Sequence, residues 1–325
     1  MAEAYIIDAV RTPVGRRGGG LSDVHPADLG AAPIVELFNR VDVDPALIDD
    51  VVYGCVDAIG GQAGDIARTA WLVAGMPQHV PGTTIDRQCG SSQQAIQFAA
   101  QAVLSGTQDV VIASGVESMT RVPMGSNVTL HMKEGLYAKA AGIEEKFPGI
   151  NFSQFMGAEM IVKKHGFTKD DLDRFALSSH EKAIAATKAG AFEREIVPVE
   201  IETPEGTAYH TVDEGIRFDA TLEGIAGVKL LSPDGAITAA SASQICDGSS
   251  AVLVVSEAAL KAHGLTPLAR IHTLAVTAGD SVIMLEEPLF ATDKALQRAG
   301  MKIGDIDLYE VNEAFASVPM AWLKH

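Results

Sequence analysis

The segment Asp86-Arg87-Gln88-Cys89-Gly90-Ser91-Ser92 carries the sharpest chemical signal in the chain. It lies between a short apolar run, Thr83 to Asp86, and an Ala/Gln-rich stretch of helical pattern, Ser91 to Leu104. A strand-to-helix turn holds a side chain at a helix N-terminus, where unpaired N–H groups and the helix dipole favour an anion. A thiol ordinarily titrates near about 8.5, and such a setting lowers it toward neutrality. Gly90, Ser91 and Ser92 are small, so a substrate carbonyl can approach Cys89 and its backbone N–H. That is the logic of a nucleophile elbow with sulfur as the attacking atom, and it points to covalent catalysis. The competing reading makes Cys89 a small buried apolar residue at a helix start.

Other reactive residue types carry weaker signals. Cys55 ends an apolar run, Val51 to Val56, and reads as core; Cys246, in Gln244-Ile245-Cys246-Asp247-Gly248, reads as core or loop filler. No Cys, His or acidic residues have zinc-ligand spacing, so no metal site is expected. Gly15-Arg16-Arg17-Gly18-Gly19-Gly20 has the glycine content of a phosphate loop but lacks its Lys-Ser/Thr ending and a following helix. It reads instead as a flexible turn. Asn312-Glu313-Ala314-Phe315 follows the run Ile306 to Glu310. Asn312 there is an N-cap, or an amide able to orient a water or donate to a developing oxyanion. None of the nine His residues sits in a setting that marks a general base. His180 reads as solvated in mid-helix and His325 as frayed.

The elements that must position these groups alternate in the first 115 residues. Tyr5 to Val10, Val51 to Val56, Thr83 to Asp86 and Val110 to Ala113 read as strands. Pro26 to Arg40, with Leu29, Pro33, Ile34, Leu37 and Phe38 on one side, and Ser91 to Leu104 read as helices. Such β-α-β alternation predicts a layered α/β fold. From about Thr120 to Pro233 the pattern changes to polar helical stretches such as Thr168 to Gly190, where Thr168 is the expected N-cap. Thirteen of the 25 Lys and Arg lie between Arg121 and Lys229. That third of the chain is where an anionic ligand is expected, although its many acidic residues also fit a solvated face. After Asp234 the alternation resumes: Ala251 to Val255, Leu268 to Thr277 and Ile306 to Glu310 as strands, Glu257 to His263 and Pro288 to Ala299 as helices.

The 325 residues are 47% hydrophobic and 21% charged, which predicts about two globular domains with a sizeable core. Three cysteines, an odd number, cannot form a disulfide framework and suit a reducing compartment. A formal net charge of −17 excludes a protein built to bind nucleic acid, but not a polyanion held by a local cationic patch. No apolar run approaches the length of a membrane span, and Met1 to Pro13 does not read as a signal peptide. A cytoplasmic protein is expected, with neither membrane nor nucleic acid as partner.

A weak internal echo links Pro45-Ala46-Leu47-Ile48-Asp49-Asp50-Val51-Val52-Tyr53 with Ile303-Gly304-Asp305-Ile306-Asp307-Leu308-Tyr309. The first unit continues well past Tyr53, the second stops shortly after Tyr309. If the echo is a repeat, the second half lacks roughly 50 to 70 residues.

Five segments taken together resemble the thiolase family. They are Tyr5-Ile6-Ile7-Asp8-Ala9-Val10-Arg11-Thr12-Pro13, Cys89-Gly90-Ser91, Ser114-Gly115-Val116-Glu117-Ser118-Met119-Thr120, Thr238-Ala239-Ala240-Ser241-Ala242-Ser243 with Asp247-Gly248, and Asn312-Glu313-Ala314-Phe315. They occur in collinear order along the whole chain. The resemblance implies an α/β thiolase fold: two similar βαβαβαββ halves in a five-layer αβαβα arrangement with an inserted loop domain, the second half incomplete. On that pattern residues 1–119 plus 234–265 form the N-terminal half, 120–233 the CoA-binding loop domain, and 266–325 the truncated C-terminal half. Cys89 becomes the nucleophile, and Asn312 matches the Asn that holds an oxyanion-hole water. Met156 matches the Met of a His-Met-Gly contact, with Phe155 standing where that His would be. Arg217 matches an Arg near the CoA nucleotide and Ser243 a Ser near the pantetheine, and Phe315 joins them as a CoA contact. The family's Gly-His-Pro segment and second Cys have no match before His325, so a chain ending there is expected to be catalytically impaired.

The implied reaction is CoA-dependent cleavage of 3-oxoacyl-CoA through a Cys89 acyl-enzyme, with CoA and acyl-CoA as substrates and no permanently bound cofactor. Degradation is favoured over acetoacetyl-CoA synthesis by Glu117-Ser118-Met119-Thr120-Arg121-Val122-Pro123-Met124-Gly125 and by Phe155. The alternatives are a biosynthetic thiolase, a condensing enzyme of the ketoacyl synthase type, and a non-catalytic CoA- or lipid-binding homologue. A homodimer or homotetramer is expected by the same resemblance.

Overall fold

The computed structural model describes residues 2–130, 132–136 and 139–325. The chain begins with β1 (Ala4–Arg11), β2 (Gly15–Arg16), α1 (Pro26–Arg40), β3 (Asp50–Gly54), α2 (Ile66–Val73), β4 (Gly82–Ile85), α3 (Ser91–Ser105) and β5 (Val110–Ser118). Then follow α4 (Ser126–Thr129), α5 (Ala141–Lys146), α6 (Gln154–His165), α7 (Lys169–Lys188), β6 (Val199–Thr203), β7 (Gly206–His210) and α8 (Leu222–Ala226). It closes with β8 (Cys246–Ser256), α9 (Glu257–Ala262), β9 (Ala269–Arg270), α10 (Glu287–Ala299) and α11 (Ser317–Lys324). Two compact units divide these elements: Met1–Tyr137, Ala191–Gly215 and Ile245–His272 form one; Ala138–Gly190, Ile216–Gln244 and Thr273–His325 form the other.

The first unit is built on a mixed sheet of order β4-β3-β5-β8-β1-β9, with β2 paired to β8. β3 runs parallel to both β4 and β5, while β8 is antiparallel to β5 and β1. β3 and β5 are buried on both faces, which is why they read as continuous apolar runs. Successive side chains of β3 point to opposite faces. Tyr53 reaches the Gly30 carbonyl of α1 at 2.9 Å, and the next residue, Gly54, faces the first turn of α3. Thus α1 and α3 cover opposite faces. On the α1 side the core gathers Leu29, Ile34, Leu37, Trp71, Ile112 and Leu253, all nearly fully buried. α1 begins at Pro26, whose missing N–H suits the first helical position, and carries an apolar stripe to Leu37.

In the second unit α7 opens as expected. Thr168 accepts from the Asp171 N–H and Asp171 accepts from the Thr168 N–H, a reciprocal capping box. α6, α7 and α11 pack around Ala158, Val162, Leu172, Ile237, Phe315, Ile161, Val318 and Ala321.

Three expected features differ. Of Leu268 to Thr277 only Ala269–Arg270 forms a ladder, with Tyr5 and Ile6 of β1. Ile306 to Glu310 is not a strand: it follows a 3-10 turn at Ile303–Asp305 and remains unpaired among the described residues. An extended segment becomes a strand only when a neighbour takes its backbone groups. Asn312 does not cap a helix either; α11 begins at Ser317. Ala314 and Ala316 are bonded to the 241–243 segment, and Phe315 bridges Ala242, so these backbone groups are taken up outside a helix. The echo itself has a structural counterpart, since Pro45–Leu47 and Ile303–Asp305 are both 3-10 turns leading into Ile-Asp.

Candidate active site

Cys89 is exposed, two residues before the start of α3. The elbow is tied locally. Gln88 has φ +45°, a conformation that non-glycine residues seldom adopt. Its N–H donates to Asp86 Oδ1 at 2.6 Å, and its carbonyl accepts from Ser91 Oγ at 2.6 Å. Ser91 Oγ in turn accepts from the Arg87 N–H at 3.0 Å, while the Gly90 N–H closes back on the Arg87 carbonyl. These bonds over-determine a strained turn, as is common where a side chain must be presented. The Cys89 N–H has no protein acceptor among the described residues and can meet a carbonyl oxygen.

Two glycines set how closely α3 approaches the sheet. A side-chain carbon on Gly54 would lie 2.4 Å from Ser92 N and 2.5 Å from the Ser91 carbonyl carbon. One on Gly115 would lie 1.9 Å from Ser92 Oγ. The bare backbones of β3 and β5 therefore seat the first turn of α3, and with it the elbow.

The other thiols differ in kind. Cys55 is buried, and desolvation, aided by the Glu117, Asp57 and Asp86 carboxylates, pushes it up to about 12. Burial also raises Cys246, with Asp247 and Glu117 adding to the effect. Glu117 itself is raised by burial, although it accepts from the Val56 N–H at 2.8 Å and Gln62 Nε2 at 2.7 Å. The glycine-rich loop is not an open anion site. The Arg16 and Gly20 N–H groups donate to the Glu214 carboxylate, so an internal anion already fills it. No group of three His, Cys, Asp or Glu is placed to hold a metal ion among the described residues. No described helix is long and apolar enough to cross a membrane.

The five other candidate residues lie in the second unit. The Ser243 N–H donates to the Ala314 carbonyl at 2.8 Å, and the Ala316 N–H donates to Ser241 O at 2.9 Å. Ser243 and Asn312 are thus carried by two paired segments. Both side chains are exposed, and Asn312 has no protein hydrogen-bond partner among the described residues. Phe315 is buried at 2% exposure, and Phe155 stacks edge-on against it at 5.4 Å. Phe155 and Met156 line a cavity of about 560 Å³ with Leu231, Ile237, Lys163 and Glu159. Arg217 is exposed, and its N–H donates to His180 Nδ1 at 3.3 Å. His180 is therefore half-buried rather than solvated; burial first, then Arg217, lowers its pKa. Next to it on α7, Ser179 donates to Glu313 at 2.9 Å. Burial raises Glu313, with Ser179 and Lys182 opposing. His325 is not frayed, since its Nε2 lies 2.9 Å from Asp293 Oδ2 and its ring meets Phe290.

The sequence alone marks neither Gly54 and Gly115 beneath the elbow nor, in the second unit, the Glu159 and His180 contacts to backbone N–H groups. No motif marks a carboxylate that serves backbone N–H groups from another segment. The glycines carried one usable signal, their place in the C-terminal halves of the two strands next to the elbow.

Residues 4–258 match the family model for the thiolase N-terminal domain and residues 265–325 that for the thiolase C-terminal domain. The chain belongs to the thiolase family and has its α/β fold. Among curated proteins it is 52% identical to steroid 3-ketoacyl-CoA thiolase FadA6 of Mycobacterium tuberculosis, covering 100% of this chain and 79% of that one. It is 40% identical to a 3-ketoacyl-CoA thiolase of Aeromonas salmonicida, covering 100% and 83%. The crystal structure of human mitochondrial 3-ketoacyl-CoA thiolase matches with a TM-score of 0.87 at 32% identity, over 99% of this chain and 83% of that chain. The Bacillus anthracis acetyl-CoA acetyltransferase structure matches with a TM-score of 0.87 at 35% identity, over 100% and 83%.

Proposed function

We propose that the protein is a degradative thiolase that cleaves 3-oxoacyl-CoA with CoA. Full turnover also requires the family's Gly-His-Pro histidine and second Cys, which these 325 residues do not contain. The Cys89 thiolate attacks the 3-oxo carbon, and the resulting oxyanion collapses with cleavage of the Cα–Cβ bond. The bonding electrons leave as the enolate of acetyl-CoA, which takes up a proton. The acyl group remains on Cys89 as a thioester. The CoA thiol, giving up its proton, attacks that carbonyl and frees both the shortened acyl-CoA and the Cys89 thiolate. Each oxyanion requires hydrogen-bond donors. The free Cys89 N–H supports one such role, and a water on the unpartnered Asn312 amide supports the other.

The observation that carries the reading is an exposed cysteine held at a helix start by a strained elbow. That elbow is hydrogen-bonded on either side of Cys89 and leaves its N–H free among the described residues. Residues 120–233 are read as the loop domain that grips CoA, with Arg217 near its nucleotide, Ser243 and Met156 near its pantetheine, and Phe315 backing Phe155. CoA and acyl-CoA are substrates rather than resident cofactors, and a cytoplasmic homodimer or homotetramer is the setting proposed. The cavity beside Phe155, walled in part by Met156, Leu231 and Ile237, together with the steroid thiolase relative, favours a long or bulky acyl group over acetoacetyl-CoA.

Intact-mass spectrometry after incubation with a 3-oxoacyl-CoA is expected to show one acyl adduct, absent in Cys89→Ala. Acylation retained in that variant would refute the assignment. Loading from acyl carrier protein in preference to CoA would instead mark a ketoacyl synthase type of condensing enzyme. Faster turnover of acetoacetyl-CoA than of longer 3-oxoacyl-CoA would reverse the proposed direction.

A further inference from the structure

Glu159 leaves α6 toward the hairpin that precedes the Ser243 segment. The Ala236 N–H donates to both of its carboxylate oxygens at 3.0 Å, and the Ile237 N–H donates to Oε1 at 3.0 Å. The hairpin is otherwise closed by its own backbone: the Leu231 N–H donates to Ile237 O, the Gly235 N–H to Ser232 O, and Leu230 bridges Thr238. Past Ile237 the chain enters a turn in which Thr238 and Ser241 cap each other. It then pairs with the segment carrying Asn312. One carboxylate thus fixes the entry of a stretch whose exit holds Ser243.

The support beneath Glu159 is rigid. Ala158, Ile161 and Val162, its neighbours on α6, are buried, and the Ala158 carbonyl accepts from Ser317 Oγ of α11. Glu159 also lines the 560 Å³ cavity between Phe155 and Ile237, so the loop it holds is a wall of that cavity. A loop ordered before its ligand arrives spares the ligand the entropy of ordering it.

We propose that Glu159 is a positioning residue for CoA binding: by holding the Ala236 and Ile237 N–H groups to α6 it presets the 231–243 loop that carries Ser243. This rests on the thiolase reading, because CoA is the ligand assigned to that loop. The hydrogen bonds of the Glu159 side chain go to the Ala236 and Ile237 N–H groups.

The test titrates CoA into the protein, its Glu159→Ala and Glu159→Gln variants, and follows hydrogen exchange across Ser232 to Ser243. Loss of the acceptor in Glu159→Ala is expected to weaken CoA binding by about tenfold or more and to speed exchange across that segment. Glu159→Gln retains one acceptor oxygen and is expected to lose about threefold. The KM for CoA should rise in step while kcat and the alkylation rate of Cys89 hold, a split that general loss of structure would not produce. Unchanged CoA affinity in Glu159→Ala would overturn the proposal, as would kcat and Cys89 alkylation falling in parallel with affinity. Should Glu159→Ala fail to fold, Glu159→Gln decides by the same two readouts. Failure of the unsubstituted protein to bind CoA would overturn the thiolase reading, and exchange at the Ala236 and Ile237 amides would still decide whether Glu159 orders the loop.

Discussion

Cys89, Cys246 and Cys55 form a graded set: exposed, intermediate and buried. The thiolate is the reactive form, and burial both hides Cys55 and Cys246 and holds them protonated. Cys55, pushed up to about 12, is almost wholly protonated at neutral pH. Cys246 is raised by burial as well. Iodoacetamide at about pH 7.5 is therefore expected to label one thiol of the native chain, Cys89, before the others. Peptide mapping checks this, and primary labelling of Cys246 would contradict it. The placing of Cys89 at a strand-to-helix turn was legible because its signal lies in its neighbours in sequence, Gly90 and Ser91. Glu159 and His180 were not, because their partners, Ala236 and Arg217, lie far along the chain and donate through backbone N–H groups. A backbone N–H has no side-chain type to search for.

At the scale of elements, the position of α3 depends on what is missing from β3 and β5. A methyl group on Gly54 meets the backbone of Ser91 and Ser92, which cannot turn aside, whereas one on Gly115 meets the Ser92 side chain first, at 1.9 Å, and the Gly54 carbonyl oxygen only at 2.9 Å. Overpacking of this kind costs about 1–3 kcal/mol, and a displacement of about 1 Å at a reacting group costs on the order of 10²-fold in rate. Gly54→Ala and Gly115→Ala are both expected to slow Cys89 acylation. Adding Ser92→Gly should restore most of the rate in Gly115→Ala and little in Gly54→Ala. Equal rescue of the two, measured by single-turnover acylation, would show that the two glycines do not act by the contacts described.

Strands and helices of the first unit were largely readable, because Val51–Tyr53 and Val110–Ala113 are buried on both faces and Ser91 to Ser105 ends at a left-handed Gly106. Ile306 to Glu310 looked the same by its letters. Its failure to form a strand shows what local pattern omits, since a ladder needs a partner that the sequence of one segment does not encode.

At the scale of the molecule, the chain leaves the sheet at Ser118 and rejoins it at Cys246. Part of this excursion is clamped back to β1 by Arg11. Its guanidinium donates to both oxygens of Asp213, at 2.8 and 3.0 Å, and to Glu195 at 2.7 Å, over the ring of Phe192. A bidentate pair of this kind is stronger than a single charged bond. Burial alone would raise Asp213, but the bonds from Arg11 and the Val14 N–H outweigh it and hold the carboxyl below its ordinary 3.8. Its stabilising contribution is present at neutral pH and is lost as the pH falls through that depressed pKa.

Glu117 and Glu313 act with the opposite sign. Burial raises both above 4.5, so the folded chain binds their protons more tightly than the unfolded chain does. Stability then increases as the pH falls through the window between the raised value and 4.5. Relief of the self-repulsion of a −17 chain acts in the same sense. These carboxyls are expected to raise the melting temperature between neutral pH and about pH 5, opposed by His180, whose lowered pKa favours the unfolded chain as the pH falls through 6.5. A decline is expected below about pH 4 as Asp213 and other paired carboxylates protonate. Glu117→Gln and Glu313→Gln should flatten the rise. Asp213→Asn should lower the melting temperature at neutral pH and flatten the decline. Melting curves across that range decide the matter. A steady fall from neutral pH to about pH 5, unaltered by the two Gln variants, would mean that buried carboxyls do not govern the pH response of this fold.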